Sequence, residues 1–431
     1  MTRTHRAAWV LPIAAPPIRD GWVAVRGDRI VAVGGSHERW PSGAPPDLKV
    51  GPALLPGKTV TPRPEPSRRR EVGPADHAPQ VAILPGLVNA HVHLELSWMR
   101  GLIPPGDSMP AWASALIALR RSSTVDPAVA IAAGIAEARA AGTSLVGDIA
   151  NTLATAAPLA DSPLSAVVFR ELIGFRVEDA APVIAQAEQE AASLTRSSRV
   201  RMALAPHAPY SVSPALLRAL SRCRPDLPLA IHLGESRDEV EFLRAGTGAW
   251  RDVLERVGAW NPSWPVPGCG PVEYLAQVGL LSARTLVVHA VQVEAPELAR
   301  VAAAGGTIVT CPRSNQWTGA GPPPIEAFYA SGARVAIGTD SLASVASLSL
   351  FDEMAVVRRL APGVAAARIL QSATLDGAAA LGFDDLGAIT PGRRAELLAV
   401  QLPHPMSTAA DVEQYLVSGV PAAAISWLAE P

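Results

Sequence analysis

From residue 81 onward the chain repeats one pattern: a short apolar run rich in Val, Ile and Ala, then a stretch with helical spacing. Eight such runs are legible, at 81–90, 143–148, 165–171, 201–206, 228–233, 284–289, 306–311 and 334–339. Strands separated by helices are joined by crossovers, and crossovers make neighbouring strands parallel, so the pattern predicts βα units around a parallel sheet. The helix ends fit this reading. Asp126-Pro127 supplies an N-cap and a first-turn proline, Gly142 closes the same helix, and Ser213-Pro214 opens another. Eight units predict an α/β chain of the (β/α)8 TIM barrel type, with its active site where strands end and the following loops begin.

The flanks read differently. Trp22 to Val33 is a pair of β-rich runs broken at Gly27-Asp28, the mark of a hairpin. Residues 36–80 cluster Pro, Gly and Arg with no period of 2 or 3.6, which predicts a long, partly mobile loop, and the triplet Arg68 to Arg70 reads as solvated. Gly387 to Gln401 returns to short β-type runs around Pro391-Gly392, so the C-terminal segment is expected to complete a small β domain begun at the N-terminus. The expected division is 1–80, 81–385 and 386–431.

Composition narrows the partners. With 37 Lys+Arg against 39 Asp+Glu the net charge is −2, and the only lysines are Lys49 and Lys58. No basic block exists to meet nucleic acid or an anionic membrane, so neither is expected as a partner; a small, mostly neutral ligand fits better. Arg3 and Arg6 precede the apolar stretch Ala7 to Ile18, but three prolines interrupt it and no small-residue cleavage site follows, so export is not expected. No uncharged apolar run reaches the 18 residues that suggest a membrane span. Cys223, Cys269 and Cys311 are odd in number and far apart, which fits no disulfide framework and suits a reducing cytoplasm.

Histidine placement carries the functional signal. Of nine histidines, His91, His93, His207, His232 and His289 fall at the C-terminal ends of expected strands. His91-Val92-His93 has the i, i+2 spacing that puts both rings on one face of a strand, where two neutral nitrogens can share a divalent cation. Asp340 ends the run Val-Ala-Ile-Gly-Thr-Asp, where a buried carboxylate needs a cation or several donors. Each residue has a plainer reading alone: Asp340 as the N-cap of a following helix, Glu235 as a solvated helix-start acid, His289 as a hydrogen-bonded core histidine. Their coincidence at one end of one barrel favours a metal site.

Leu84-Pro-Gly-Leu-Val-Asn-Ala-His-Val-His93, then His232-Leu-Gly-Glu235, His289 and Gly338-Thr-Asp340-Ser-Leu-Ala-Ser344, together resemble the amidohydrolase superfamily, in its branch of deaminases and chlorohydrolases. The resemblance covers nearly the whole chain and implies a β-sandwich from the terminal segments. It implies His91, His93, His232 and Asp340 as metal ligands, Glu235 as the proton-shuttling acid, and His289, with Asp340, as the groups that steer the attacking water. His207 matches a histidine that contacts substrate. A carbamylated-lysine bridge between two metals is excluded because both lysines precede the first strand, so one divalent metal is expected: zinc by the donor set, with iron or manganese also acceptable. Glu396 stands where the family usually has Asp.

The expected chemistry is hydrolytic release of ammonia, with the cation making water acidic near neutral pH and Glu235 passing the proton to a ring nitrogen. The segments Pro206 to Ser213, Val309 to Gln316 and Thr339 to Ser344 are most similar to aminodeoxyfutalosine deaminases of menaquinone biosynthesis, whose substrate is an adenosine bearing a carboxyphenyl ketone tail. Arg100 and Arg313 are expected to meet that carboxylate and Trp98 its ring, although Arg313 and Asn315 could equally cap a helix. The alternatives are an S-adenosylhomocysteine, methylthioadenosine, adenosine or guanine-type deaminase, a chlorohydrolase on the same ligands, or an inactive interaction protein, which would be expected to have lost ligands. A homodimer is expected from the resemblance alone.

Overall fold

The structure, a computed structural model, describes residues 2–36, 79–194 and 197–428. Most of the predicted 36–80 loop, with Arg68 to Arg70, lies outside them. The terminal segments form one six-stranded sheet from β1 (Thr2–Val10), β2 (Ile18–Arg26), β3 (Arg29–Gly34), β4 (Val81–Pro85), β13 (Leu397–Gln401) and β14 (Ile425–Trp427), in the order β14-β13-β4-β1-β2-β3. The β2–β3 hairpin turns at Gly27, whose φ of 60° suits glycine. β1 lies in the segment expected to begin the small β domain, but its pattern marks no strand before Trp22, because Thr2-Arg-Thr-His-Arg6 hides the apolar strand end behind it.

One expected strand divides in two. The run 81–90 is β4, which pairs with β1 and β13, and then β5 (Leu87–Val92), which pairs with β6 (Thr143–Ala150). The chain changes sheet at Gly86, where a Cβ would lie 2.5 Å from the Ser144 Cβ, so only glycine lets the crossing pass this close.

Eight parallel strands follow in two sheets of four. β5 with β6 (Thr143–Ala150), β7 (Ser165–Leu172) and β8 (Val200–Pro206) make one; β9 (Leu229–Leu233), β10 (Thr285–His289), β11 (Thr307–Thr310) and β12 (Arg334–Ile337) make the other. The sheets touch at both margins. The His91 carbonyl accepts the amides of Thr339 and Asp340, each at 3.1 Å, and the His207 carbonyl accepts the His232 amide at 3.0 Å. A single apolar cluster takes every second residue from all eight strands, including Val88, Leu145, Phe169, Ala203, Ala230, Val288, Val309 and Ala336. The alternate residues pack outward against helices, so the strands are apolar on both faces. Burying each larger aliphatic side chain contributes about 1.5–3 kcal/mol, enough to offset the ~1–2 kcal/mol of ordering one backbone residue.

Ser213 caps helix Pro214–Leu220 as expected, its Oγ accepting the Leu216 amide at 3.1 Å, whereas helix Ala128–Ala140 has Pro127 at its N-cap and Asp126 one residue ahead, where Oδ1 accepts the Ala128 amide at 3.0 Å. Among the described residues no helix is long and apolar enough to cross a membrane.

Candidate active site

β5 carries one extra residue against β6 between Asn89 and Val92. Such a bulge reverses side-chain parity. Val88 and Ala90 point into the interior cluster and Val92 joins the outer one, which frees His91 and His93 to face the histidines of the opposite sheet. His232 lies within β9, His289 ends β10, and Asp340 follows β12. Both His289 (φ 74°) and Asp340 (φ 61°) are left-handed, a strained state for side-chain-bearing residues that persists only where surroundings enforce it.

These residues converge. His93 Nε2 lies 3.3 Å and His91 Nε2 3.7 Å from Asp340 Oδ1, and His232 Nε2 lies 3.4 Å from His93 Nε2. Ligand atoms of His91, His93 and Asp340 fall within 4.8 Å of one another, as do those of His91, His232 and His289. His91 is fully buried, yet neither of its ring nitrogens has a hydrogen-bond partner. An orphaned buried imidazole beside a carboxylate fits a cation. The second oxygen of Asp340 is held by the hydroxyls of Ser314 and Ser344, which leaves Oδ1 for the site.

The surroundings favour the neutral form of three of the imidazoles. Burial first, then neighbouring histidines, lowers His232 to about 3, and burial lowers His93 and His289 well below the usual range. His232 Nδ1 donates to the His207 carbonyl at 2.8 Å, so its Nε2 lone pair points at the site. The Asn315 amide donates to His289 Nδ1 at 3.0 Å, which fixes that ring as well.

Glu235 sits on the loop after β9, 2% exposed, with Oε1 3.8 Å from His289 Nε2. Burial, then repulsion from Asp340 and Glu239, pushes its carboxyl well above the usual range. Glu239, buried one helical turn on, accepts the amides of Gly234 at 2.8 Å and Glu235 at 3.0 Å and so clamps the loop.

Above this floor opens a cavity of about 300 Å³. His93, His207, His232, Glu235, His289 and Asp340 line it at the bottom, and Trp112, Phe175, Trp250 and Leu254 line its apolar walls. His207 is held through Nδ1 to Ser211 Oγ at 2.6 Å, and burial lowers it to about 4. Three expected substrate contacts are placed elsewhere. Arg100 pairs with Glu137, and Arg313 donates to Glu353 at 2.7 Å and to the Ser347 carbonyl at 2.8 Å. Trp98 packs in a satellite cluster with Leu96, Met99 and Trp112, and neither it nor Arg100 nor Arg313 lines the cavity. The sequence reading missed Arg120, Asn151, Glu171, Tyr210 and Glu239. Glu171 is the penultimate residue of β7, near the strand end as His289 is, and was legible by the same logic; Arg120 lies in a helix and carried no such mark.

Strand-end imidazoles, a strand-end carboxylate and an apolar cavity above them define a metal-binding enzyme site. A profile of the amidohydrolase family matches residues 82–425. The aminodeoxyfutalosine deaminase of Deinococcus radiodurans is 33% identical over 347 residues, 77% of this chain and 81% of that one. A 5-methylthioadenosine/S-adenosylhomocysteine deaminase of Halobacterium salinarum is 31% identical over 348 residues, 76% of this chain and 74% of the relative. The aminofutalosine deaminase of Helicobacter pylori, solved with methylthio-coformycin, matches with a TM-score of 0.80 and 24% identity over 97% of each chain, a likeness of fold. The chain belongs to the amidohydrolase family and is an aminohydrolase enzyme.

Proposed function

We propose that this enzyme deaminates an adenosine-type nucleoside, aminodeoxyfutalosine foremost, and so serves menaquinone biosynthesis. The observation that carries the reading is the buried Glu235 carboxyl at the cavity floor, 3.8 Å from His289 and beside the His/Asp cluster. The two parallel sheets, hydrogen-bonded at both margins, are read as one (β/α)8 barrel within the expected span 81–385, with β4 at its start joining 1–80 and 386–431 in the small β domain. His91, His93, His232 and Asp340 would hold one divalent cation, zinc by donor type; when bound it supplies Lewis acidity that brings the pKa of water to about 7.

Every other step belongs to side chains. Burial favours the acid form of Glu235, which gives its proton to the ring nitrogen next to the amino-bearing carbon. As carboxylate it then takes one proton of the attacking water and passes it to the amine; as the C–N bond breaks and ammonia leaves, the hydroxyl proton of the adduct returns to Glu235, which gives a keto ring and restores the acid. His289, oriented by Asn315, and Asp340 hold the water on its line of approach. The apolar walls accept the purine and tail and exclude bulk water.

Purified enzyme offered aminodeoxyfutalosine is expected to release ammonia and to carry one zinc equivalent per chain. Glu235→Gln should keep the metal while turnover falls by about 10²-fold or more. No ammonia from any adenosine-type compound with the metal retained, or chloride release from a chlorinated ring, would overturn the assignment. The Halobacterium salinarum relative, nearly as similar, favours methylthioadenosine or S-adenosylhomocysteine as the second reading.

A further inference from the structure

The cavity has one wall with a regular origin. Met109, Trp112, Ala113, Leu116, Ile117 and Arg120 all line it, and their spacing puts them on a single face of helix Met109–Ser122. Five of these are apolar, and the sixth ends the stripe with a guanidinium. Among the described residues lining the cavity, Arg120 is the only arginine or lysine, against three carboxylates, Glu171, Glu235 and Asp340.

Its direct bonding includes no acid. Arg120 Nη1 donates at 2.9 Å to Asn151 Oδ1, a neutral acceptor, and the Asn151 amide donates in turn to Glu171 Oε2 at 2.6 Å. No carboxylate pairs with Arg120 among the described residues, whereas Arg100 and Arg313 are each taken by acids. A guanidinium has five N–H donors in a fixed fork, so most of Arg120's donors remain available, and the residue is exposed at the cavity. An apolar stripe that ends in an unpaired fork is built for an apolar spacer that ends in an anion.

We propose that Arg120 selects the substrate by binding a carboxylate on its tail. The assignment rests on the nucleoside-deaminase reading above and gives that site its substrate class: adenosines whose tail carries an acid. The Asn151–Glu171 chain holds the guanidinium in place, so Arg120 meets the tail while the histidine floor meets the ring.

The test compares wild type, Arg120→Gln and Arg120→Lys on aminodeoxyfutalosine, whose tail is anionic, and on 5-methylthioadenosine, whose tail is uncharged. Arg120→Gln is expected to lower kcat/KM for the anionic nucleoside at least about tenfold, mainly through KM, and to leave the uncharged one within about twofold. Arg120→Lys should recover part of the loss, since it restores charge without the fork. An equal fall on both nucleosides would reduce Arg120 to a support for Asn151 and overturn the proposal. Calorimetric binding of the same two compounds separates this failure from failure of the deaminase reading. If wild type releases no ammonia, that reading falls, while an unchanged Kd of Arg120→Gln for the anionic nucleoside overturns the Arg120 assignment and a Kd weakened about tenfold upholds it.

Discussion

Glu239 decides where Glu235 stands, because its two carboxyl oxygens take the consecutive amides of Gly234 and Glu235. An ordinary glutamate titrates near 4.5, and burial raises Glu239 to about 7. Between those values the folded chain binds more protons than the unfolded one, so stability falls as pH rises through about 7. Glutamine does not titrate, and its NH2 group cannot accept the second amide. Glu239→Gln should therefore flatten the decline in urea midpoint between pH 5 and pH 8, cost about 1–3 kcal/mol for the unpaired donor, and slow turnover with metal retained. An unchanged pH slope would show that Glu239 is not the group responsible. At this scale much was legible: His91, His93, His232, His289 and Asp340 were marked because each polar residue ends an apolar run. Asn315 and Glu239 were hidden, since a polar residue in a short helix looks the same whether it caps the helix or holds a catalytic loop.

At the scale of elements, the bulge in β5 and the close approach of β5 to β12 set the histidine pair. Gly338 makes that approach possible. A Cβ there would lie 2.7 Å from the His91 carbonyl oxygen and 2.8 Å from the His91 Cβ, so backbone itself would have to move. Gly338→Ala is expected to lower stability by about 1–3 kcal/mol, the usual cost of overpacking, and to weaken zinc binding because His91 shifts with its strand. Thermal unfolding and a zinc titration check this; full zinc affinity at unchanged Tm would mean the seam adapts without cost. The helical spans and parallel strands were readable from period and caps. The division of 81–90 was not, because one unbroken apolar run serves two sheets and only Pro85-Gly86 marks the change.

Across the whole molecule, the terminal sheet is tied to the parallel strands' helices by Arg139. It donates to Glu396 at 2.8 Å, its guanidinium lies 3.2 Å from the Trp427 ring centre, and the Trp427 indole donates to the Arg139 carbonyl at 2.9 Å. The glutamate at 396, where the resemblance leads one to expect aspartate, reaches this arginine. Arg139→Ala should cost about 1–3 kcal/mol through the lost stacking and the abandoned carboxylate, seen as a lower Tm, with kcat unchanged because none of these groups lines the cavity. A large fall in kcat would instead mean that the two parts are coupled through the site. The sequence by itself determined the alternation of strands and helices and the strand-end histidines with Asp340 beside them, because period and position along one strand are local properties. Only the tertiary structure decided which arginine faces the cavity. Arg100 and Arg313 follow parallel strands as closely as any candidate, yet acids from distant segments neutralise both, while Arg120, unmarked in its helix, is left facing the cavity with no salt bridge among the described residues. Charge pairing across long sequence separations is fixed by packing, and no window of sequence contains both partners.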